Sequence, residues 1–315
     1  MDSYPCKLIG LIDPKFLCLS IPSSIDVCGK FALRNIVSDE IWYLSKLRED
    51  FKPSPFRSLP PLTPDHCVLE VNAPEATASV ATPTDDILES LFTSSSALLT
   101  RSLTLLRLSS SCPIGLTNMW MLSGGPWAQL LGVDHSDRIL GCADDITIQF
   151  DLPQALEKLQ QLVADFWDRD KSIEEENPVR WFNKSYAEIH LEDKLVDLIF
   201  ALEQIYLRKE SERSYLSYKL CLRGAFLLAQ SSAFPDDRKQ IFKNLHDGYK
   251  KRNKIVHDGI SLTPDTQPLI KKLEDYLRIS IPLYLKGKML SRAKDSAKIT
   301  DFWNDLILSA PKDTS

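Results

Sequence analysis

The segment Tyr249 to Gly259, YKKRNKIVHDG, holds an arginine, an asparagine and a histidine in close succession. Histidine titrates near neutrality, so His257 can take or give a proton. The guanidinium of Arg252 can grip a phosphate through two parallel hydrogen bonds, a geometry that lysine does not reproduce. Asn253 can orient the imidazole or bind a sugar hydroxyl. Together these types suit proton transfer at a phosphate ester, with a cation beside the developing charge. They suit equally a solvated basic helix end, where the helix dipole favours Arg252 and His257.

The element that must position them is a helix over 236–257. Asp258-Gly259 follows the apolar pair Ile255-Val256, and glycine takes the left-handed conformation that stops a helix. At 100° per residue, Ile241, Leu245, Gly248, Arg252 and Val256 share one seam, and Phe242, His246, Tyr249, Asn253 and His257 share the next. Arg252 thus falls on a line of core residues, which is costly for a permanent charge unless it is paired or faces a ligand. Asn253 and His257 are i,i+4 neighbours, so their side chains are expected to meet. Tyr249, one turn before Asn253, is expected as a packed ring, with base stacking as its other reading.

Two further charges sit on apolar faces. Glu203 shares a seam with Val196 and Ile199, at the rim of the stripe in DKLVDLIFALEQIYL. Arg223 lies among Leu216, Leu220 and Leu227 in a segment apolar nearly all round. A buried arginine needs a carboxylate, and Glu203 is the nearest candidate in sequence order for Arg223. A structural role is expected for both.

At 315 residues the chain has room for about two domains. Its 43% hydrophobic and 26% charged residues exclude disorder as the main state. A net charge of −5 gives no global attraction for nucleic acid or membrane, so any such binding must be local. One local excess exists: seven Lys/Arg against three Asp between Asp236 and His257. Within it, Lys250, Lys251 and Lys254 flank the motif. The seven cysteines are scattered without a C-x-x-C pair, which reads as reduced thiols in a cytoplasmic protein. The N-terminus lacks the basic-then-apolar order of a signal peptide, and no apolar run is long enough to span a bilayer.

Residues 1–150 carry short β-like runs, HCVLEVNA and DITIQFDL, Pro-rich joints and one helix through Leu88–Leu106, which predicts a mixed α+β domain. SGGPW at Ser123 to Trp127 lacks the lysine of a phosphate loop and reads as a turn. From 151 to 315 the pattern predicts an α-helical domain, with helices near 153–169, 179–189, 191–209, 213–230, 236–257, 264–286 and 298–308. Pro282 is expected to kink or end the sixth.

The ordered segments DLIFALE at 197–203, LSYKLCLRGAFLL at 216–228 and IFKNLHDGYKKRNKIVHDG at 241–259 resemble the HEPN superfamily, and closely its ApeA-like branch. The similarity covers roughly 191–285 and extends weakly to WFNKSYAEI at 181–189. The resemblance implies a helical HEPN-type bundle that forms a homodimer, with R-x4-6-H motifs of two subunits facing across a cleft. It implies a metal-independent endoribonuclease with no cofactor, RNA as partner and a defence or toxin-like setting. Arg252 and His257 fill the two motif positions and Asn253 the polar position after the arginine, and Lys250, Lys251 and Lys254 are the expected RNA-binding lysines beside them. The ~140° turn between Arg252 and His257 hinders one chain from focusing both on one atom, whereas a symmetric dimer pairs one subunit's arginine with the other's histidine.

Two other readings compete. A non-catalytic HEPN module would bind RNA or a protein. A metal hydrolase is disfavoured, because His66, His135, His190 and His246 show no H-E-x-x-H or comparable spacing. Asp144-Asp145 reads as a turn before a strand.

Overall fold

The computed structural model describes residues 6–12, 24–35, 67–72, 85–110, 116–123, 130–133, 152–169, 173, 176–188, 190–208, 210, 214–230, 236–287 and 296–308. The chain divides into two compact units. One comprises Met1–Arg107, Cys112–Ile139 and Ala143–Trp167; the other comprises Leu108–Ser111, Leu140–Cys142 and Asp168–Ser315.

The first unit is built on an antiparallel sheet. Strands β1 (Cys6–Ile12), β2 (Ser24–Val27), β3 (Phe31–Asn35), β4 (Cys67–Asn72), β5 (Leu116–Ser123) and β6 (Leu130–Val133) pair in the order β2-β3-β4-β1-β5-β6. The run read as β-like from its valines, HCVLEVNA, is β4, with Val68, Leu69 and Val71 fully buried. Cys28 and Gly29, both at positive φ, turn β2 into β3, and Asp26 accepts a hydrogen bond from the Gly29 amide at 2.9 Å. Helix α1 (Asp85–Ser109) buries Leu99, Leu103, Leu105 and Leu106.

Helix α2 (Leu152–Phe166) also belongs to this unit, and just beyond it Trp167 stacks on Phe31 of β3 at 5.6 Å. The division therefore follows Trp167, whereas the change of sequence texture lies at 150/151. An amphipathic helix on a sheet has the same period as one in a bundle, so periodicity does not separate the two. The interior of SGGPW, Asp144-Asp145, His66, His135 and the DITIQF run lie outside the described residues.

The second unit is helical: α3 (Asn177–Ala187), α4 (Leu191–Tyr206), α5 (Leu216–Leu228), α6 (Arg238–Asp258), a 3-10 turn (Pro264–Thr266), α7 (Gln267–Leu285) and α8 (Ser296–Leu308). Helix α4 packs against α3, α5, α6 and α7, which explains its wide apolar face. Leu195, Leu198, Ile199, Leu202 and Tyr206 are fully buried in it. Pro282 lies inside α7, which continues to Leu285, so it neither starts nor ends the helix.

Charges inside this unit are paired. Arg278 donates to Asp275 and to the Tyr186 hydroxyl, both at 2.6 Å, and to Glu274 at 3.3 Å. Lys194 meets the other oxygen of Glu274 at 2.6 Å. Asp197, buried in α4, accepts from Lys184 through both oxygens. No helix among the described residues is long and apolar enough to cross a membrane.

Candidate functional site

Helix α6 carries the motif, and both its ends are fixed by local chemistry. Asp237 accepts the Gln240 amide at 2.8 Å as N-cap. At the other end Gly259 adopts φ 63° and its amide donates to the Ile255 carbonyl at 3.0 Å, the left-handed stop expected from Asp258-Gly259.

The seam of Ile241, Leu245, Gly248, Arg252 and Val256 runs from core to solvent. Ile241 and Leu245 are fully buried, Gly248 is buried, Arg252 is half-buried and Val256 is 51% exposed. Gly248 sets how close α6 approaches its neighbours. A Cβ there would lie 3.0 Å from Leu273 of α7 and 3.2 Å from Ile199 of α4. One turn later, that close packing brings Arg252 onto Phe200 and Glu203 of α4.

The Arg252 guanidinium lies 4.9 Å from the centroid of Phe200 and 6.0 Å from that of Tyr249. Its Nη2 is 3.9 Å from Glu203 Oε2, an ion pair too long to be a hydrogen bond. Its Nη1 donates to Asn253 Oδ1 at 3.1 Å. Its Nε is buried without a hydrogen-bond partner among the described residues. Arg252 is thus fixed by charge and by ring faces, while most of its five donors stay uncommitted.

Glu203 is mostly buried, and burial raises its carboxyl above the ordinary range; the charge of Arg252 and a hydrogen bond from Tyr249 pull the other way without cancelling it. Tyr249 is raised in turn, first by burial and then by the charge of Glu203. It is 9% exposed and lies beside the Glu203 carboxyl and the Arg252 guanidinium, so it is a packed ring.

His257 is exposed at the end of α6. The Asn253 oxygen accepts from Arg252, and no hydrogen bond joins Asn253 to His257 among the described residues. The long arginine side chain folds back over its neighbour, a contact that spacing on a wheel does not show. Lys250 and Lys254 are exposed and Lys251 half-buried on the same helix.

Arg223 requires a correction. Its carboxylate partner is Glu210 at 2.7 Å, not Glu203, and it also donates to the Tyr206 carbonyl at 2.8 Å and lies over Trp303. Burial would raise Glu210, but Arg223 and Lys219 outweigh it and hold the carboxyl below its ordinary value. Glu210 lies beyond the end of α4, where helical periodicity says nothing about facing. With Arg223 satisfied elsewhere, Glu203 is left to the motif arginine.

Among the described residues, no group of three or more His, Cys, Asp or Glu could hold a metal ion. No family model, curated protein or solved structure matches the chain. What the site can do follows from its geometry: a half-buried, pre-oriented guanidinium with free donors, and an exposed imidazole one and a half turns further along the same helix.

Proposed function

We propose that the second unit is a HEPN-type domain of the ApeA-like kind, which dimerises and cleaves RNA without a metal ion. The observation that carries this reading is the state of Arg252. A buried Nε without a hydrogen-bond partner among the described residues, and a guanidinium held at 3.9 Å from Glu203, are wasteful as structure. They suit a fork kept ready for a phosphate.

In the reaction, a base removes the proton of a ribose 2′-OH and its oxygen attacks the adjacent phosphorus. The new O2′–P bond forms as the P–O5′ bond breaks, and an acid delivers a proton to the leaving 5′-oxygen. The products are a 2′,3′-cyclic phosphate and a 5′-hydroxyl. His257 exchanges protons, and Arg252 neutralises the charge that grows on the phosphoryl oxygens. Asn253 and Glu203 are positioning residues for Arg252.

Exposed apolar residues beside the motif support the dimer. Val256, on the seam of Arg252, and Ile260, just past the helix, are 51% and 37% exposed. A second copy covering this face would bring its own His257 towards Arg252.

The test is RNA cleavage in EDTA by the purified protein beside His257→Ala, with the product ends identified. Cyclic phosphate ends, and a loss of at least about a hundredfold in the variant, are expected. Binding of RNA or of a protein without cleavage would assign the domain to the non-catalytic class instead.

A further inference from the structure

The outward sides of α6 and α7 flank a groove of about 640 Å³ that is separate from the Arg252 contacts. Lys243, Lys250, Lys251 and Lys254 line it from α6, and Lys272 lines it from α7. Lys272 is neutralised by Asp236 at 2.9 Å. Asp265, also in the groove, accepts from the Thr263 hydroxyl. The four α6 lysines have no ion pair or hydrogen bond among the described residues. The remaining acid, Asp247, does not balance them.

The lysines form a row. Lys243, Lys250 and Lys254 stand at i, i+7 and i+11, so they share one side of the helix over about 16 Å. That span is longer than one phosphate, so the row can meet several successive linkages of one strand. Lys254 is ~200° round the helix from Arg252, and it neighbours His257 three residues on. A compact anion needs donors that converge on one point; these are strung out along a line. The wall of Pro268 and Leu269 is apolar, and the lining amides of Gln240 and Asn244 are engaged with each other and with the Tyr276 hydroxyl rather than turned to base edges.

We propose that this groove is a second RNA surface, which grips the phosphate backbone of the strand outside the cleaved linkage and leads it towards His257. The inference rests on the ribonuclease reading for its polymer, and its test separates the two.

The full chain would be titrated with a fluorescent 2′-O-methyl RNA, which cannot be cleaved by 2′-OH attack, over a range of salt. Each lysine withdrawn from a single strand should lower the slope of log K against log salt by about 0.7, so the Lys243→Ala, Lys250→Ala, Lys254→Ala variant should lose about 2. All three side chains are exposed, and an unchanged melting curve would show the fold intact. In parallel, Lys243→Ala should cleave a dinucleoside monophosphate at the wild-type rate while cleaving long RNA with a raised KM.

A wild-type slope in the triple variant would overturn the proposal. So would equal loss on the dinucleotide, which would merge the groove with the cleavage cleft, or displacement of the RNA by inorganic tripolyphosphate at equal phosphate concentration. A reduced slope with no cleavage of any RNA by the wild type would uphold the groove and remove the ribonuclease reading.

Discussion

Replacing Glu203 with glutamine separates folding from function at this site. The gross attraction between Glu203 and Arg252 at 3.9 Å is about 4 kcal/mol at an effective dielectric of ~20. Yet the Glu203 carboxyl is raised, so burying the carboxylate costs more than Arg252 and Tyr249 return. A raised folded value means that the folded state binds the proton more tightly. Stability then falls as pH rises from the ordinary carboxylate value through the raised folded one. Glu203→Gln removes that cost and keeps an acceptor for Tyr249, while the guanidinium can still reach water. The expected change in stability at pH 7 is within about 1 kcal/mol, far from the ~3–5 of a broken buried pair, and the acid side of the pH profile should flatten. Cleavage, by contrast, should fall about ten- to a hundredfold, because Arg252 then keeps its Asn253 hydrogen bond and the ring faces but loses the charge that holds it in one orientation. Urea unfolding between pH 4 and 8, run beside a cleavage assay, reads both. A loss of several kcal/mol with activity retained would refute the positioning role and make the pair structural.

The remaining expectations concern the scaffold that aims α6. Arg278→Met should destabilise the second unit by about 3–5 kcal/mol in urea unfolding, because it leaves Asp275 and Glu274 with less charge around them and removes the Arg278 hydrogen bond to the Tyr186 hydroxyl. Gly224→Ala would place a Cβ 2.5 Å from Leu245 Cδ1, and Leu245 is fully buried with little room to turn. Overpacking should outweigh the helix-propensity gain and cost about 1–2 kcal/mol, read as a lower denaturation midpoint at unchanged m.

Much of this architecture was legible in the residues themselves. The helical segments of the second half follow from 3.6-residue periodicity with capping residues, and the stop of α6 at Gly259 follows from the steric freedom of glycine. The half-buried setting of Arg252 was visible because its seam is otherwise apolar. What could not be read is who faces whom between elements. Glu203 was correctly placed at the rim of its stripe but wrongly paired with Arg223, since the true partner, Glu210, stands in a joint without periodicity. The excess of lysine was plain along α6. That Lys272 and the Pro268–Leu269 wall close it into a groove depends on the packing of α7. Likewise, the membership of α2 in the first unit rests on contacts such as Phe31 with Trp167, which have no local signature.

The central claim is that each cleavage site takes its arginine from one subunit and its histidine from the other. Arg252→Ala and His257→Ala homodimers, each inactive alone, should be mixed, exchanged and assayed in EDTA. A heterodimer would then contain one intact site, and random exchange should restore about a quarter of wild-type cleavage. No recovery, despite proven subunit exchange, or full activity from a monomer would contradict the account.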